Sequence, residues 1–265
     1  MSESMQPADL ARQAKQHLES LRAAGVEWLP VAPPPTPYIR APEAAVSEPT
    51  AQVLHATAPA ELFASTRNDS ALNVEDRRHE LQVLREEVAR CSRCAELAAQ
   101  RTQTVFGVGP IDADLCFVGE APGADEDAQG EPFVGAAGQL LNRIVAACGM
   151  KREEVYICNV LRCRPPGNRL PLPNEAANCR EYLDRTLDLI RPRFICCLGG
   201  CAAQNLLSTQ LSVGKLRGRF HDYRGTPVMV TYHPAYLLRN PSSKRDVWED
   251  MKTLLVRMGR QVPRR

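Results

Sequence analysis

The chain has 265 residues, of which 44% are hydrophobic and 24% are charged, a composition that suits a globular domain with an appendage. Its longest small or apolar run, Phe194–Ala203, has ten residues, about half of the roughly 20 that a membrane-spanning helix needs. The net charge of +2 divides into −4 over residues 1–75 and +6 over residues 76–265. Membrane spanning is therefore excluded, and the basic C-terminal portion has the charge expected of a nucleic-acid binder.

The first 75 residues divide into a predicted helix and a predicted linker. Apolar residues recur at helical spacing from Ala8 to Leu29, which predicts an amphipathic helical extension over residues 1–29. Residues 30–75 are rich in proline, alanine, serine and threonine, a composition that predicts a disordered tether.

We expect a cytoplasmic protein with reduced cysteines. The chain opens with Ser2, Glu3 and Ser4 and lacks the basic and apolar segments of a secretory signal. Disulfides persist mainly in oxidising compartments. The ten cysteines are therefore expected to be free thiols or metal ligands.

Residues 76–260 alternate between helical and strand patterns and form the predicted main domain. Short apolar runs bounded by turns predict buried strands, and helical periodicity predicts the segments between them. This alternation is typical of an α/β fold in which helices cover both faces of a parallel sheet, with ligands at the carboxyl ends of the strands. The predicted helices are Arg77–Ala99, Ala136–Cys148, Asn174–Ile190, Cys201–Leu207 and Asp246–Met258, and the predicted strands are Leu115–Gly119, Val155–Val160, Phe194–Leu198 and Val228–Thr231.

The first predicted strand ends in the turn Gly119-Glu120-Ala121-Pro122-Gly123, whose glycines let backbone amides approach a ligand closely. The turn has neither the Gly-Lys-Ser/Thr end of a Walker A loop nor the GxGxxG pattern of a dinucleotide site. The acidic residues 125–127 after it are predicted to form a solvated loop. Phe133 then precedes a helix start and is either a core residue or a platform on which a planar ligand stacks.

Polar side chains also follow the second and fourth predicted strands. Asn159 ends the second strand, and its amide can pair with a complementary ligand edge, although its position alone does not distinguish it from a capping asparagine. His233 follows the fourth strand and opens the run His-Pro-Ala-Tyr236-Leu237-Leu-Arg239. Exposed apolar residues beside a basic one suit insertion into a stack of bases with a phosphate anchor.

Four cysteines have the pattern of a metal site. Cys91 and Cys94 form a CxxC pair, and 15 residues separate Cys163 from Cys179. Four thiolates can hold Zn²⁺ or a [4Fe–4S] cluster, and the second spacing, which is not that of a zinc knuckle, slightly favours the cluster. The other six are predicted to be small core residues: Cys116, Cys148, Cys158, Cys196, Cys197 and Cys201.

Taken together, the Gly-Glu-Ala-Pro-Gly turn, Pro-Phe-Val-Gly, Asn159, the cysteine spacing and His-Pro-Ala-Tyr-Leu-Leu-Arg closely resemble the motifs of the family-4 uracil-DNA glycosylases, which are bacterial and archaeal iron–sulfur enzymes. The resemblance covers Glu80–Arg257, with every motif in the expected order. It implies a three-layer α/β/α sandwich with a four-stranded parallel sheet. It also implies a [4Fe–4S] cluster on the four cysteines of the metal pattern, and removal of uracil from DNA in base excision repair.

The resemblance implies a uracil pocket built from four residues. Gly119 and Ala121 would line it, Phe133 would stack on the base, and the Asn159 amide would read the N3–H and O4 edge of uracil. Such an enzyme cannot reach a stacked base and therefore extrudes the nucleotide into the pocket.

Further implied roles concern catalysis and DNA binding. His233 would donate a hydrogen bond to uracil O2 as negative charge develops there, and Glu120 would position the water or the glycosidic bond. Tyr236 and Leu237 would fill the gap in the base stack, and Arg239 would contact a phosphate. The other basic residues expected to grip phosphates are Arg162, Arg164, Lys215, Arg217 and Arg219.

Two other functions stay open. One is a glycosylase for hypoxanthine or xanthine. The other is a non-catalytic, metal-containing DNA-binding module; such a module is expected to have lost His233, Asn159 or Phe133, yet all three are present. A glycosylase that bonds covalently to the abasic sugar is disfavoured, because Pro165–Gly167 stands where that type has a basic histidine loop. We expect a monomer, and the tethered helix of residues 1–29 suggests docking on a replication or repair protein.

Overall fold

The structure, a computed structural model, describes residues 72–263. The predicted helix Ala8–Leu29 and all but the last four residues of the predicted linker lie outside these residues. Helix α1 (Val74–Ala89) begins inside the end of the predicted linker, where the Asn73 side chain accepts a hydrogen bond from the Asp76 amide at 2.9 Å. Such a cap satisfies a backbone donor that the first helical turn leaves free.

The remaining elements continue the predicted alternation of strands and helices and include short helices and one strand that the sequence did not predict. They are α2 (Ala95–Gln100), β1 (Leu115–Gly119), α3 (Ala124–Gln129), α4 (Ala136–Ala147), β2 (Tyr156–Asn159), α5 (Pro173–Ile190), β3 (Phe194–Leu198), α6 (Gly200–Leu207), α7 (Val213–Leu216), β4 (Phe220–Tyr223), β5 (Thr226–Thr231), α8 (Pro234–Arg239) and α9 (Lys244–Arg257).

The described strands form one five-stranded sheet in the order β2-β1-β3-β5-β4. Strands β1, β2, β3 and β5 are parallel, as predicted, whereas β4 pairs antiparallel with β5. The prediction of four strands is therefore wrong, because β4 was missed. This edge strand is short and only its last residue is buried, so it lacks the apolar run by which the other strands are recognised. Its turn to β5 places Arg224 and Gly225 at φ of 51° and 85°, the left-handed conformation of a two-residue hairpin turn.

Helices cover both faces of the sheet. In β1, Leu115 and Phe117 pack with residues of α4 and α9, whereas Cys116 and Val118 pack with residues of α5 and α6. Successive side chains of a strand point to opposite faces, so a fully apolar strand must be covered on both sides. The α/β/α layering implied by the sequence is confirmed.

The single predicted helix Arg77–Ala99 is instead two helices. Between α1 and α2 the chain turns through the Cys91–Cys94 segment, and Arg93 and Asn178 exchange hydrogen bonds across it: Arg93 Nη1 donates to the Asn178 carbonyl at 3.3 Å, and Asn178 Nδ2 donates to the Arg93 carbonyl at 3.0 Å. These bonds hold the cysteine pair against α5. The turn between the two helices therefore places the thiols of Cys91 and Cys94 beside α5.

Candidate active site

A cavity of about 540 Å³ opens at the carboxyl ends of the strands, and we call it the strand-end cavity. Segments that follow β1, β2 and β5 all contribute to its wall, as expected where parallel strands end together. Of the predicted site residues, the following line it: Glu120, Ala121, Phe133, Asn159, His233, Tyr236 and Arg239.

Gly119 lets two of these side chains come close to the end of the sheet. It pairs with Asn159 across β1 and β2. A Cβ atom at Gly119 would lie 2.3 Å from Asn159 Oδ1 and 2.6 Å from Phe133 Cζ, distances at which neither side chain could keep its position. The absence of a side chain at Gly119 thus brings the Asn159 amide and the Phe133 ring together.

Asn159 is 2% exposed, and its Oδ1 atom accepts no hydrogen bond from the described residues. Buried acceptors in folded proteins nearly always have a partner, so this atom marks a place where a ligand donor is expected. A capping asparagine would bond the backbone nearby. The arrangement instead favours recognition of a molecule inside the cavity.

His233 follows β5 and faces Phe133, with the two ring centroids 5.5 Å apart. Its Nδ1 accepts a hydrogen bond from the Ala235 amide at 3.2 Å. Burial and, to a smaller extent, the nearby Arg239 charge lower the pKa of His233 to about 4, against the opposing effect of the Glu126 charge. The ring is therefore neutral at physiological pH, and because Nδ1 accepts, its proton is on Nε2.

Glu120 and Ala121 lie side by side on the cavity wall. Burial raises the pKa of the Glu120 carboxyl, and its charge also raises the pKa of the nearby Cys201 thiol. Ala121 has no group that could act on water. Glu120 is thus the carboxylate of this turn that can approach a ligand in the cavity.

The acidic residues 125–127 do not form a solvated loop, and that prediction is wrong. They lie on α3, where both Asp127 oxygens accept from the Thr102 amide at 3.0 Å. The Glu126 carboxylate accepts from the amides of Gly123, Val134 and Gly135, each at 3.0 Å. These carboxylates therefore bond the backbone of neighbouring segments, which sequence spacing alone does not reveal.

The rim of the cavity carries a pair of stacked tyrosines and a positively charged arginine. Tyr236 is 37% exposed and stacks on Tyr232 with ring centroids 5.0 Å apart. Arg239 is exposed one helical turn later. Leu237, in contrast, is 0% exposed and packs in the core with α4 and α9. The prediction that Leu237 enters the base stack is wrong, because the helical turn of α8 points this residue inward and exposes Leu238, at 43%, instead.

The basic residues expected at DNA phosphates differ in their surroundings. Arg162 is 1% exposed, and its guanidinium donates to the Phe106 carbonyl and, at 3.0 Å, to Thr186 Oγ1. That prediction is wrong for Arg162, which holds core segments together. Arg217 is engaged with Asp250 at 3.0 Å, and Arg164 Nε donates to Asn168 Oδ1 at 2.7 Å. Lys215 and Arg219 are exposed.

The predicted metal ligands Cys91, Cys94, Cys163 and Cys179 lie near one another, where the α1–α2 connection meets the segment after β2 and the first half of α5, and we call this region the cysteine corner. Arg101 Nη1 donates to Cys163 Sγ at 3.1 Å, and Asn178 Nδ2 donates to Cys94 Sγ at 3.4 Å. Burial raises the pKa of Cys163, Arg101 opposes that rise through its hydrogen bond and charge, and Cys91 and Cys94 add smaller raising contributions. Burial likewise raises the pKa of Cys179 to about 11.

Within residues 72–263, no three or more His, Cys, Asp or Glu side chains are arranged to hold a single metal ion. Of the six cysteines predicted to be core residues, Cys201 is half-buried, near Glu120. The other five are buried, as predicted: Cys116, Cys148, Cys158, Cys196 and Cys197. None of the helices in this range is both long and apolar enough to cross a membrane.

Comparison with known proteins identifies relatives of this arrangement. The family model of the uracil DNA glycosylase superfamily matches residues 106–252. The chain is 43% identical to a type-4 uracil-DNA glycosylase of Archaeoglobus fulgidus over 185 residues, which cover 67% of this chain and 92% of the relative. It is also 43% identical to that of Thermotoga maritima, over 65% of this chain and 91% of the relative. A type-4 enzyme of Sulfurisphaera tokodaii is 41% identical, over 66% of this chain and 83% of the relative.

Proposed function

The chain belongs to the uracil-DNA glycosylase superfamily and, within it, to the type-4 enzymes, and we propose that it releases uracil from DNA through its strand-end cavity. It is a hydrolase of base excision repair that cleaves the N-glycosidic bond and leaves an abasic site. In this reaction the bond between C1′ and N1 breaks and its electron pair goes to uracil. Water then adds hydroxide to C1′ and a proton to the base.

The unpartnered Oδ1 of Asn159 is the observation that carries the proposal. A buried acceptor without a partner costs roughly 1–3 kcal/mol, and a ligand N–H in the cavity would remove that cost. Uracil presents N3–H beside O4, a pattern that the carbonyl oxygen and the NH₂ group of the Asn159 amide complement. Cytosine presents an unprotonated N3 beside an amine and would leave both groups unpaired, which is a strong basis for rejection.

Phe133 supplies the second element of recognition. Its ring is buried beside Asn159 and Gly119, so a planar base that pairs with the Asn159 amide can stack on it. Aromatic stacking contributes about 1–3 kcal/mol per base. Stacking holds any base, whereas the amide selects among them.

His233 acts on the charge that develops as the bond breaks. Its neutral ring carries the proton on Nε2, because Nδ1 accepts from the Ala235 amide. We propose that Nε2–H donates to uracil O2, where negative charge accumulates. A fixed donor of this kind contributes roughly 3–4 kcal/mol to a transition state.

We propose that Glu120 orients the attacking water or stabilises the sugar. Positive charge develops on the sugar during cleavage, and a carboxylate on the cavity wall can stabilise it or orient the water that attacks it. Water that attacks an oxocarbenium-like sugar needs little activation, so a weak general base is sufficient. The small Ala121 side chain on the cavity wall then leaves room for the base, whereas Gly119, which does not line the cavity, leaves room for the Asn159 and Phe133 side chains that bind it.

The rim residues are proposed to hold the DNA. Extruding a nucleotide costs a few kcal/mol, least for a mispaired or single-stranded base. Tyr236 can stack on a base beside the gap, with Leu238 in the place predicted for Leu237, and Arg239 can bind a phosphate. Lys215 and Arg219 are exposed and can add phosphate contacts.

We propose that the cysteine corner holds the [4Fe–4S] cluster that the family implies. The donor set fits, since thiolates are the ligands of such clusters and both Arg101 and Asn178 donate to sulfur, which stabilises its negative charge. Cys91, Cys94, Cys163 and Cys179 would be the ligands. When bound, the cluster would supply a cross-link among three segments of the chain.

Uracil-containing DNA is the proposed partner, and the cytoplasm, where bacterial and archaeal DNA is held, is the proposed location. Action as a monomer stays a prediction. So does docking of a replication or repair protein by residues 1–29, which lie outside the described residues.

Labelled oligonucleotides that contain uracil, hypoxanthine, xanthine or only normal bases test the function. After incubation, alkali cuts every abasic site, and we expect strand cleavage of the uracil substrate. Cleavage of the hypoxanthine or xanthine substrate in its place would favour the alternative glycosylase. Absence of cleavage with every substrate would favour a DNA-binding module and contradict the proposal.

A further inference from the structure

Glu126 bonds to two separate segments of the cavity wall. Its Oε2 accepts from the Gly123 amide, in the turn after β1, at 3.0 Å. Its Oε1 accepts from the amides of Val134 and Gly135, each at 3.0 Å. Bonds from N–H groups to a carboxylate are about twice as strong as those between neutral groups. One side chain thus fixes the backbone immediately after Phe133 relative to the turn that carries Glu120.

The backbone at Phe133 requires such a restraint. Its φ is 56°, a left-handed conformation that bulky residues rarely adopt because it is strained. The next helix also approaches the backbone of Phe133 closely, since a Cβ atom at Gly138 would lie 1.9 Å from the Phe133 carbonyl oxygen. A strained conformation persists only where its surroundings enforce it. The paired bonds from Val134 and Gly135 to Glu126 are the adjacent polar restraint.

Helix α3, which carries Glu126, is itself anchored. The neighbouring Asp127 is buried, and both its oxygens accept from the Thr102 amide at 3.0 Å. The bonds of Asp127 therefore fix the helix from which the Glu126 carboxylate reaches the segment after Phe133.

We propose that Glu126 is a positioning residue that sets the Phe133 ring at the distance and tilt required to stack on the extruded uracil. Glu126 does so through the backbone of Val134 and Gly135. This inference rests on the proposed function, because the stacked base is its substrate. A displacement of about 1 Å at a reacting site can lower a rate about 100-fold, so a residue that acts only through Phe133 can still have a large effect.

A double-mutant cycle tests the inference in the full chain. Glu126→Gln keeps the shape of the side chain but replaces one acceptor oxygen with a donor, and Phe133→Ala removes the ring. We expect each single variant to lower kcat/KM for a uracil oligonucleotide by about 10- to 100-fold. The double variant should be within about threefold of Phe133→Ala alone, because a positioning residue has nothing left to position.

Free uracil gives a second measurement that a general loss of stability would not change. We expect Glu126→Gln to weaken inhibition by uracil about tenfold or more, as loss of stacking requires, while its affinity for an oligonucleotide of normal bases stays that of the wild type. Glu249→Gln is the matched control, since this exposed residue pairs with Lys252 on α9. If Glu126→Gln shows no cooperative melting, Glu126→Asp replaces it, with a smaller loss that again disappears in the Phe133→Ala background.

Losses that multiply in the double variant would overturn the inference while leaving the function intact. So would a cycle that is non-additive with His233→Ala and additive with Phe133→Ala, since Glu126 would then act through the charge it places near His233. Wild-type protein that releases no uracil would overturn the proposed function, and this inference with it.

Discussion

The strand-end cavity and the cysteine corner are both partly buried and polar, but they differ in where their polar groups find partners. In the cavity, Asn159 Oδ1 accepts nothing from the described residues, and Glu120 is half-buried, which raises the pKa of its carboxyl. In the corner, sulfur atoms of Cys94 and Cys163 accept from Asn178 and Arg101. The cavity therefore leaves the Asn159 acceptor available to a ligand, whereas the corner pairs two of its sulfur atoms within the chain.

The largest expected effect is at Asn159. We expect Asn159→Ala to lower kcat/KM for uracil oligonucleotides by roughly a thousandfold or more, because a site built to hydrogen-bond its substrate depends on those bonds for selection. Steady-state kinetics with Asn205→Ala as the control measure this, since Asn205 donates to the Cys201 carbonyl on α6. A loss of less than tenfold would remove the distinction between the two regions.

His233 should have the next largest effect. His233→Ala removes the Nε2–H donor, and loss of one such donor lowers kcat by about 100- to 1,000-fold. Single-turnover release of uracil isolates this step. His221→Ala is the matched control because its ring contacts the Leu216 carbonyl at 2.7 Å, away from the cavity. Equal effects of the two substitutions would contradict the role of His233.

We expect Glu120 to set the acidic limit of activity. Burial raises the pKa of Glu120 and lowers that of His233 to about 4, so Glu120 is protonated before His233 as the pH falls, and the rate should fall with it. We expect Glu120→Gln to lower kcat by about 10- to 100-fold and to move the remaining acidic limb down toward pH 4. An unchanged limb near 6.5, the ordinary histidine value, would contradict this assignment.

The cysteine corner should respond in the opposite sense, with a large effect on stability and a small one on chemistry. We expect Cys163→Ala to abolish absorbance near 400 nm in anaerobically purified protein and to lower Tm by roughly 10 °C or more, since metal-binding energy is folding energy. Cavity kinetics at 25 °C should change by less than about threefold. Cys148→Ala, a buried residue outside the corner, should keep the absorbance.

A colourless wild-type protein that contains zinc would contradict the cluster. Loss of activity without loss of stability in Cys163→Ala would instead give the corner a part in the chemistry.

The smallest expected effect is that of removing residues 1–70. All residues that line the strand-end cavity lie between Glu120 and Arg239, and the Asn73 cap is retained. Uracil release from naked oligonucleotides should therefore stay within about threefold of the full chain, as tolerance of truncation follows from the contacts removed. A large loss of folding or activity would contradict the prediction of a tethered extension.

Much of the fold was readable from the sequence because its signals are local. Runs such as Leu115–Gly119 and Phe194–Leu198 are apolar throughout, and they alternate with helical periodicity, so strands, helices and the position of the cavity follow from spacing alone. The edge strand Phe220–Tyr223 was missed because a strand at the border of a sheet needs no apolar run.

The groups that meet at the strand ends can be read from the sequence, because Asn159 ends β2, His233 comes shortly after β5, and parallel strands end at one edge of the sheet. Which of the nearby side chains face the cavity depends instead on how the whole domain packs. Leu237 is turned into the core by the helical rotation of α8, Arg162 is enclosed by Phe106 and Thr186, and Glu126 bonds amides eight and nine residues away. Spacing along the chain fixes local periodicity, whereas burial and pairing depend on segments brought together only when the whole domain packs.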